Sequence, residues 1–204
     1  MKSSFLLIPL LCCFSVAANA QIPHFGAKIG LNFANVSGTE ADELQGHGTR
    51  TGLVLGAFME YDFIPVLGIQ PEVLYSQKGT SGTMEGASYT MAVNYIEIPV
   101  LLKVNMPLAP GTPVKVDLYA GPDFAFNVAA TTEASMGGNT STQDMSDVTN
   151  SFDFNLAFGG GLGFNVGPTT LGFDLRYSLG TGTVDKSGGE VKNGVFALMA
   201  SVEF

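Results

Sequence analysis

The amino-acid sequence predicts an all-β fold, an eight-stranded antiparallel up-and-down transmembrane β-barrel. Alternation of apolar and polar residues recurs eight times, and the connecting segments are alternately short and long. Charged residues make up only 13% of the chain, whereas a soluble domain usually has about 25–35% charged residues on its surface. No stretch after residue 20 approaches the roughly 18 consecutive apolar residues of a membrane helix. Because only helices and closed barrels satisfy the backbone in lipid, a barrel is the remaining membrane fold.

Residues 1–20 have the features of a cleavable signal peptide. Lys2 gives a short positive start, residues 5–16 are apolar, and Ala18 and Ala20 form a small-x-small cleavage site. The apolar run is too short to span a membrane as a helix. We therefore expect export across an inner membrane and cleavage after Ala20.

The mature domain is then predicted to comprise residues 21–204. Cys12 and Cys13 leave with the signal, so the mature chain has no disulfide, no thiol nucleophile and no cysteine ligand for a metal. Loss of Lys2 makes the formal net charge of -9 one unit more negative. We expect a single domain without a linker or a repeat beyond the hairpin.

The eight alternating runs predict the strands. Each run places apolar residues at every second position and mostly Gly, polar or charged residues between them, and lengths of about ten residues suit tilted membrane strands. The runs are 25–33, 52–61, 67–75, 95–104, 114–127, 152–164, 171–178 and 195–204.

The connections differ in length on the two sides of the predicted barrel. Short connections predict periplasmic turns. Long connections rich in Gly, Ser, Thr and acidic residues predict four mobile extracellular loops. Both termini are then expected in the periplasm. The short connections are 62–66, 106–113 and 166–169, and the long ones are 35–50, 77–91, 129–150 and 180–193.

Alternation alone does not say which face of the strands meets lipid. A soluble lipocalin-like barrel would have the same period with an apolar lumen. The sparse polar face, the segregated loop lengths and a C-terminal aromatic, Phe204, which is typical of an insertion signal, favour apolar-out strands. Aromatic residues near strand ends could form interfacial girdles, and they are Phe33, Tyr61, Tyr75, Phe164, Tyr177 and Phe204.

The opposite face then places charges in the lumen. An eight-stranded barrel is only wide enough for its own side chains, so these charges must pair with each other or with water. We interpret them as a structural network that fixes strand register; a narrow proton or ion path is the alternative. The residues are Lys28, Glu60, Glu72, Glu97, Lys103, Lys115, Asp117, Asp123, Asp174, Arg176 and Glu203.

Several motifs resemble the outer-membrane β-barrel domain proteins that include PorT-like proteins of Gram-negative bacteria. The motifs are Gly26–Asn32, Gln70–Gly79, Tyr95–Lys103, Tyr119–Pro122, Gly160–Gly163 and Arg176–Tyr177. The resemblance covers essentially the whole mature chain. It implies a small outer-membrane barrel in which prolines inside strands are normal, here Pro71, Pro99 and Pro122. It also implies a link to protein secretion through the namesake, although most members have no assigned function.

Residues for chemistry are few. His24 and His47 are the only histidines, and a triad of His47 with Glu43 and Ser37 can be imagined, but nothing in the sequence fixes its geometry. Gly159–Gly163 resembles a phosphate loop only in composition, because no helix follows it. We expect no enzyme activity and no cofactor.

Acidic residues gather in the long connections. Their spacing does not match a calcium loop, so a solvated acidic surface is favoured over a metal site, and the acidity argues against binding nucleic acid. The residues are Glu40, Asp42, Glu43, Glu133, Asp144, Asp147, Asp185 and Glu190.

The sequence therefore leaves several roles open. The leading hypothesis is a monomeric structural or interaction barrel in the outer membrane, with loops presented to the exterior. The alternatives are a component of secretion or envelope biogenesis and a narrow solute or apolar-ligand channel. The expected partners are outer-membrane lipid, the barrel-assembly machinery during insertion, and an unidentified extracellular or periplasmic protein.

Overall fold

The computed structural model describes residues 22–37, 47–84, 87–109, 111–147, 149–181 and 192–204. Within these ranges nine strands follow one another: β1 (His24–Ser37), β2 (His47–Ile64), β3 (Leu67–Met84), β4 (Ala87–Asn105), β5 (Val114–Met136), β6 (Asn139–Asp144), β7 (Phe152–Val166), β8 (Thr169–Gly180) and β9 (Lys192–Glu203). The same residues contain no helix long and apolar enough to cross a membrane. The predicted signal peptide lies outside them.

Eight of these strands close into a barrel. Every neighbouring pair is antiparallel, β1 pairs with both β2 and β9, and β4 pairs with β5, so the sheet has no open edge within the barrel. Among the described residues, the remaining strand, β6, pairs only with the upper part of β5, residues 131–136. The predicted eight-stranded antiparallel barrel is confirmed.

The two faces of each strand differ as the alternation predicts. On β1, Ile29 is 57% exposed whereas its neighbour Lys28 is 4% exposed. The same contrast recurs on β8 between Phe173, which is 55% exposed, and Arg176, which is 4% exposed. Apolar side chains therefore cover the outside of the barrel, and charged side chains lie in the lumen, which suits a wall surrounded by lipid.

The short turns are confirmed at the periplasmic end. β2 ends at Ile64 and β3 begins at Leu67, and Gly167 adopts a positive φ of 65° in the two-residue turn between β7 and β8. Glycine is favoured there because a Cβ atom would be strained in that backbone conformation.

Two of the predicted long loops are mostly strand, so the prediction of loops was wrong there. In the segment 77–91, β3 continues to Met84 and β4 begins at Ala87. In the segment 129–150, β5 continues to Met136 and turns directly into β6. These parts of the strands lie beyond the membrane, so their outer face is polar and lacks the apolar residues that indicate a membrane strand.

The other two long connections are shorter or lie beyond the described residues. β1 continues to Ser37 and β2 begins at His47, which reduces the predicted loop 35–50 to the residues between them. The predicted loop 180–193 falls mostly on residues 182–191, outside the described part of the chain.

Prolines inside strands coincide with interruptions of the ladder. The β3–β4 register lacks pairs between Pro71↔Val100 and Leu74↔Glu97, the stretch that contains Pro99. The β4–β5 register is interrupted in the same way around Pro122, and the β2–β3 register around Pro71. A proline has no N–H to donate to the ladder. The pairing therefore opens locally and resumes in register beyond each of these three prolines.

Candidate functional site in the lumen and at the extracellular rim

A three-membered ion cluster occupies the middle of the lumen. The carboxylate of Glu72 accepts two hydrogen bonds of 2.8 Å from the guanidinium of Arg176 and one of 2.8 Å from Lys28 Nζ. Gln70 Nε2 donates a further bond of 2.5 Å to Glu72 Oε1. Bidentate pairing of this kind is both strong and directional. Glu72 is thereby held from β1, β3 and β8 at once.

Aromatic rings cover the two cations of this cluster. Lys28 Nζ lies 4.7 Å from the ring centroid of Phe58, and Arg176 Cζ lies 5.2 Å from that of Tyr119. Cations at these distances are attracted to the ring faces. The ring of Tyr119 lies directly against Gly159 of β7, where an added Cβ would come within 2.8 Å of the hydroxyl oxygen. The predicted strand assignment of Gly159 is thus confirmed, and its lack of a side chain makes room for the ring.

A second charged layer lies toward the periplasmic end. Lys103 Nζ is 2.6 Å from Glu60 Oε2 and 3.6 Å from Asp117 Oδ2. Glu203 binds Lys115 Nζ at 3.2 Å, and it also binds His24 Nδ1 at 3.0 Å. All of these groups except His24 line a polar cavity of about 40 Å³. A cavity of this size holds only a few water molecules.

A third charged layer lies toward the extracellular end. Lys78 of β3 forms a buried ion pair with Glu97 of β4, and its ammonium lies 5.2 Å from the ring centroid of Tyr95. Asn155 Nδ2 donates a 3.0 Å hydrogen bond to Asp123 Oδ2. This layer is closed off from water, because Lys78 and Asp123 are each 1% exposed.

The sequence prediction missed two charged residues of this layer. Lys78 and Asp153 are both buried in the lumen. The signal was present in both cases: Asp153 lies on the inward face of its run, and the alternation of the run 67–75 extends to Lys78. The assumed strand end at Tyr75 hid the second residue.

One predicted lumen residue differs from the others. Asp174 lines the periplasmic cavity, but within the described part of the chain no lysine or arginine lies at ion-pair distance from it. Lys115 is also less enclosed, since its side chain is 45% exposed. The predicted charged set therefore forms three layers rather than one continuous network.

Apolar side chains fill the lumen between the charged layers. Leu101 and Leu74 are 0% and 1% exposed, so they reach the barrel axis rather than solvent. Two buried clusters consist of Val54, Leu74, Ala197 and Met199, and of Leu101, Tyr119 and Ala157. The lumen is therefore packed across its middle like a protein core.

The extracellular mouth is covered by the segment that follows β6. Met145 N donates a 2.9 Å bond to Ala130 O, and the Met145 side chain packs with Met91 against a buried apolar cluster that includes Val93 and Tyr95. Thr149 Oγ1 donates a 2.8 Å bond to Met145 O and is itself buried. This segment closes the lumen above the uppermost charged layer.

A sheet continues above the barrel on one side, and we name it the extension. It comprises residues 77–84 of β3, 87–94 of β4, 129–136 of β5 and the whole of β6, all beyond the uppermost β5–β7 pair, Phe126↔Phe152. Its two faces follow from the register: Val93 and Ala130 pair and face inward over the mouth, so their neighbours on the strands face outward.

The outer face of the extension carries hydroxyl groups in rows. One row runs across four strands as Thr83, Ser88, Ser135 and Thr140, and the next as Ser81, Thr90, Glu133 and Thr142. A third row consists of Gly79, Ala92, Thr131 and Asp144. Ser135 Oγ and Thr140 Oγ1 are 2.7 Å apart, so neighbours within a row are in contact.

Other candidate residues from the sequence take no part in a described catalytic or metal site. The side chains of Ser37, Glu43 and His47 lie outside the described residues, and among the residues that are described no group of three His, Cys, Asp or Glu could hold a metal ion. Asp144 is exposed, and hydrogen bonds from the Ser146 hydroxyl and backbone N–H keep the pKa of its carboxyl below the ordinary value.

A closed antiparallel barrel with an apolar exterior, short turns at one end and a charged, packed lumen defines an integral outer-membrane β-barrel protein. The chain belongs to the family described as outer membrane protein beta-barrel domain, whose model matches residues 19–184. The protein accordingly resides in the cell outer membrane.

The chain is similar to several solved structures at low sequence identity. The outer membrane protein OprG from Pseudomonas aeruginosa is 11% identical, with a TM-score of 0.53 over 88% of this chain and 94% of that one. Neisserial surface protein A is 18% identical, with a TM-score of 0.48 over 88% and 97%. The attachment invasion locus protein Ail of Yersinia pestis is 17% identical, with a TM-score of 0.45 over 90% and 100%. No curated protein matches the chain in sequence.

Proposed function

We propose that the protein is an outer-membrane anchor that presents the extension to an extended segment of a partner protein. The single observation that carries this proposal is the edge strand β6. It is exposed along its whole length, and within the described part of the chain it pairs only with β5.

An edge strand offers unpaired backbone groups to another chain. Its outward N–H and C=O groups form a template on which an extended peptide can add as the next strand. Natural edges are usually protected by proline, lysine or a bulge. β6 has none of these along its sequence Asn139–Asp144, and its polar side chains keep the open edge soluble.

The packed lumen supports a surface role rather than conduction. A path along the axis would have to separate Glu72 from Arg176 and displace Leu101 and Leu74. Separating a buried ion pair leaves uncompensated charges in a medium of low dielectric constant, which is costly. The barrel therefore serves as a membrane anchor in this proposal.

Cross-linking on intact cells tests the edge. The mature chain has no cysteine after cleavage at the predicted site, so Ser141→Cys gives a unique attachment point for a thiol-linked photo-cross-linker on β6. We expect one discrete adduct. It should disappear when Thr140→Lys and Thr142→Lys are added, because edge charges oppose strand pairing.

Thr83→Cys is the matched control, since it is exposed on the extension but lies on β3, away from the edge. An adduct of equal yield from Thr83→Cys, or an adduct that survives the two lysines, contradicts edge pairing. Absence of any adduct from Ser141→Cys also contradicts it.

A role in protein secretion is a second proposal, and it is supported by the resemblance of Gln70–Gly79 and Tyr95–Lys103 to PorT-like proteins. These motifs supply Glu72, Glu97 and Lys103 to the lumen layers. A deletion strain with unchanged protein export would remove this proposal, while the edge of β6 would be unaffected by that result.

A further inference from the structure

The outer face of the extension differs from the lipid-facing wall directly below it. β3, β4 and β5 run without a break from the apolar wall into the three rows of hydroxyl-bearing residues. We infer that this face binds the sugar headgroup of a glycolipid in the outer leaflet. This face includes outward side chains of β6, whereas strand addition would use the backbone groups along the free edge of β6, so the two partners contact different groups.

The chemistry of the face suits sugars. Seven of the eight residues in the upper two rows are Ser or Thr, and each hydroxyl can both donate and accept a hydrogen bond. Neighbours are about 4.8 Å apart across strands and about 6.7 Å apart along them. A sugar chain likewise presents hydroxyl groups that donate and accept, at spacings of several ångströms. The two surfaces can therefore exchange several hydrogen bonds.

The height of the face separates a glycolipid from an ordinary phospholipid. On β5, Val128 is the uppermost exposed apolar residue of the wall, at 55% exposure, and Thr131 and Ser135 lie three and seven residues further along. At 3.3 Å per residue and a tilt near 40°, the rows lie roughly 8 to 18 Å above Val128. The headgroup region of a bilayer adds only about 5–8 Å on each side. A larger headgroup is needed to reach the rows.

The charges of the face favour sugar over phosphate. Its only ionic residues are Glu133 and Asp144, and both would repel an anionic headgroup. Neither Lys nor Arg lies in the three rows, whereas phosphate recognition usually relies on those residues. Carboxylates, in contrast, accept strong hydrogen bonds from hydroxyl groups.

Continuity with the wall indicates where the sugar comes from. The apolar residues below the rows are covered by acyl chains, so the molecules next to the rows are the headgroups of those same lipids. A sugar attached to the lipid is already held at the surface. Its binding therefore gains from a high effective concentration that a free saccharide does not have.

The test uses the full mature chain folded into phospholipid nanodiscs, with a neutral glycolipid, an uncharged oligosaccharide linked to diacylglycerol, as the probe. Thr90→Val and Thr131→Val together remove two outer hydroxyls at nearly constant shape. We expect about tenfold weaker binding of the probe, because two hydrogen bonds are lost. Diacylglycerol without the oligosaccharide should bind weakly to both proteins.

Thr132→Val is the matched control, since it is the next residue on β5 and faces inward over the mouth. It should bind the probe as tightly as the unmodified chain. A heat-dependent gel shift confirms that each variant is folded. Unchanged binding in the outer double variant, an equal loss in the control, or equally tight binding of sugar-free diacylglycerol would each overturn the inference. None of these outcomes bears on cross-linking at β6.

Discussion

Glu72 and Arg176 are 104 residues apart in sequence, and they are joined by two parallel hydrogen bonds of 2.8 Å at the centre of the lumen. One lies on β3 and the other on β8, strands that are not neighbours in the sheet. The pair therefore connects opposite parts of the barrel wall through its interior. Lys28 on β1 adds a third point of attachment.

Replacing Glu72 should destabilise the barrel strongly. Glu72→Gln leaves Arg176 and Lys28 buried without a counter-charge, and loss of one partner from a buried ion pair costs about 3–5 kcal/mol. Unfolding by denaturant in detergent micelles, followed by the gel shift, measures this. Glu133→Gln on the exposed extension is the control and should change the free energy of unfolding by less than about 0.5 kcal/mol. Equal stability of the two variants would contradict the central role of the cluster.

Substitution by alanine should affect stability differently at Gly159 and Gly161, which lie two positions apart on β7. A Cβ at Gly159 would collide with the backbone carbonyl oxygen of Leu175 and with the Tyr119 ring, whereas a Cβ at Gly161 meets only the carboxylate of Asp117. Overpacking against groups that cannot move costs about 1–3 kcal/mol. We expect Gly159→Ala to lower the unfolding midpoint clearly and Gly161→Ala to lower it less. The opposite order would show that the packing around Tyr119 is more adaptable than its contacts indicate.

The packed lumen should not conduct. Leu74, Leu101 and the Glu72–Arg176 pair together cross the barrel axis, and a small polar cavity lies on the periplasmic side of them. In planar bilayers the folded protein should give no stable single-channel steps at physiological salt. Reproducible conductance steps, each produced by a single inserted protein, would contradict a closed lumen and would favour the channel alternative.

The C-terminal residue should matter for insertion more than for stability. Phe204 is 71% exposed on the outer face, and its backbone pairs with Phe25 through bonds of 2.8 and 3.4 Å. Phe204→Ala keeps those backbone bonds and removes the ring. We expect severalfold less protein assembled in the outer membrane in vivo, with nearly unchanged stability of the refolded protein in vitro.

Phe33→Ala removes a comparable outward ring from β1 and provides the control, with normal assembly expected. Equal assembly of the two variants would remove the role of Phe204 as an insertion signal.

The sequence predicts which side chains of the barrel face the lumen and which face lipid. It does not predict the strands at the extracellular rim. Alternation distinguishes Lys28 from Ile29 because one neighbour meets lipid and the other the lumen. Above the membrane the outer face meets water instead of lipid, so Thr90 and Thr131 are polar where the alternation requires apolar residues, and the sequence predicts a loop in place of the extension. For the same reason the strand end was placed before Lys78.

Pairing partners within the lumen could not be predicted either. The sequence indicates that Glu72 and Arg176 share the interior, but which charges meet depends on the register and shear of the closed sheet, which alternation does not specify. The periodicity therefore identifies the set of buried charges, while their division into three layers requires the three-dimensional arrangement.

The proline interruptions make the wall mechanically uneven. All three lie in the ladders from β2 to β5, around Pro71, Pro99 and Pro122, while the ladders from β5 through β7, β8, β9 and β1 to β2 are continuous. Pairs are missing from these ladders around the three prolines, so the wall should bend more easily at those points than along the continuous ladders. Bending and amide exchange should therefore concentrate on the side that carries the extension, which gives the exposed sheet a flexible base.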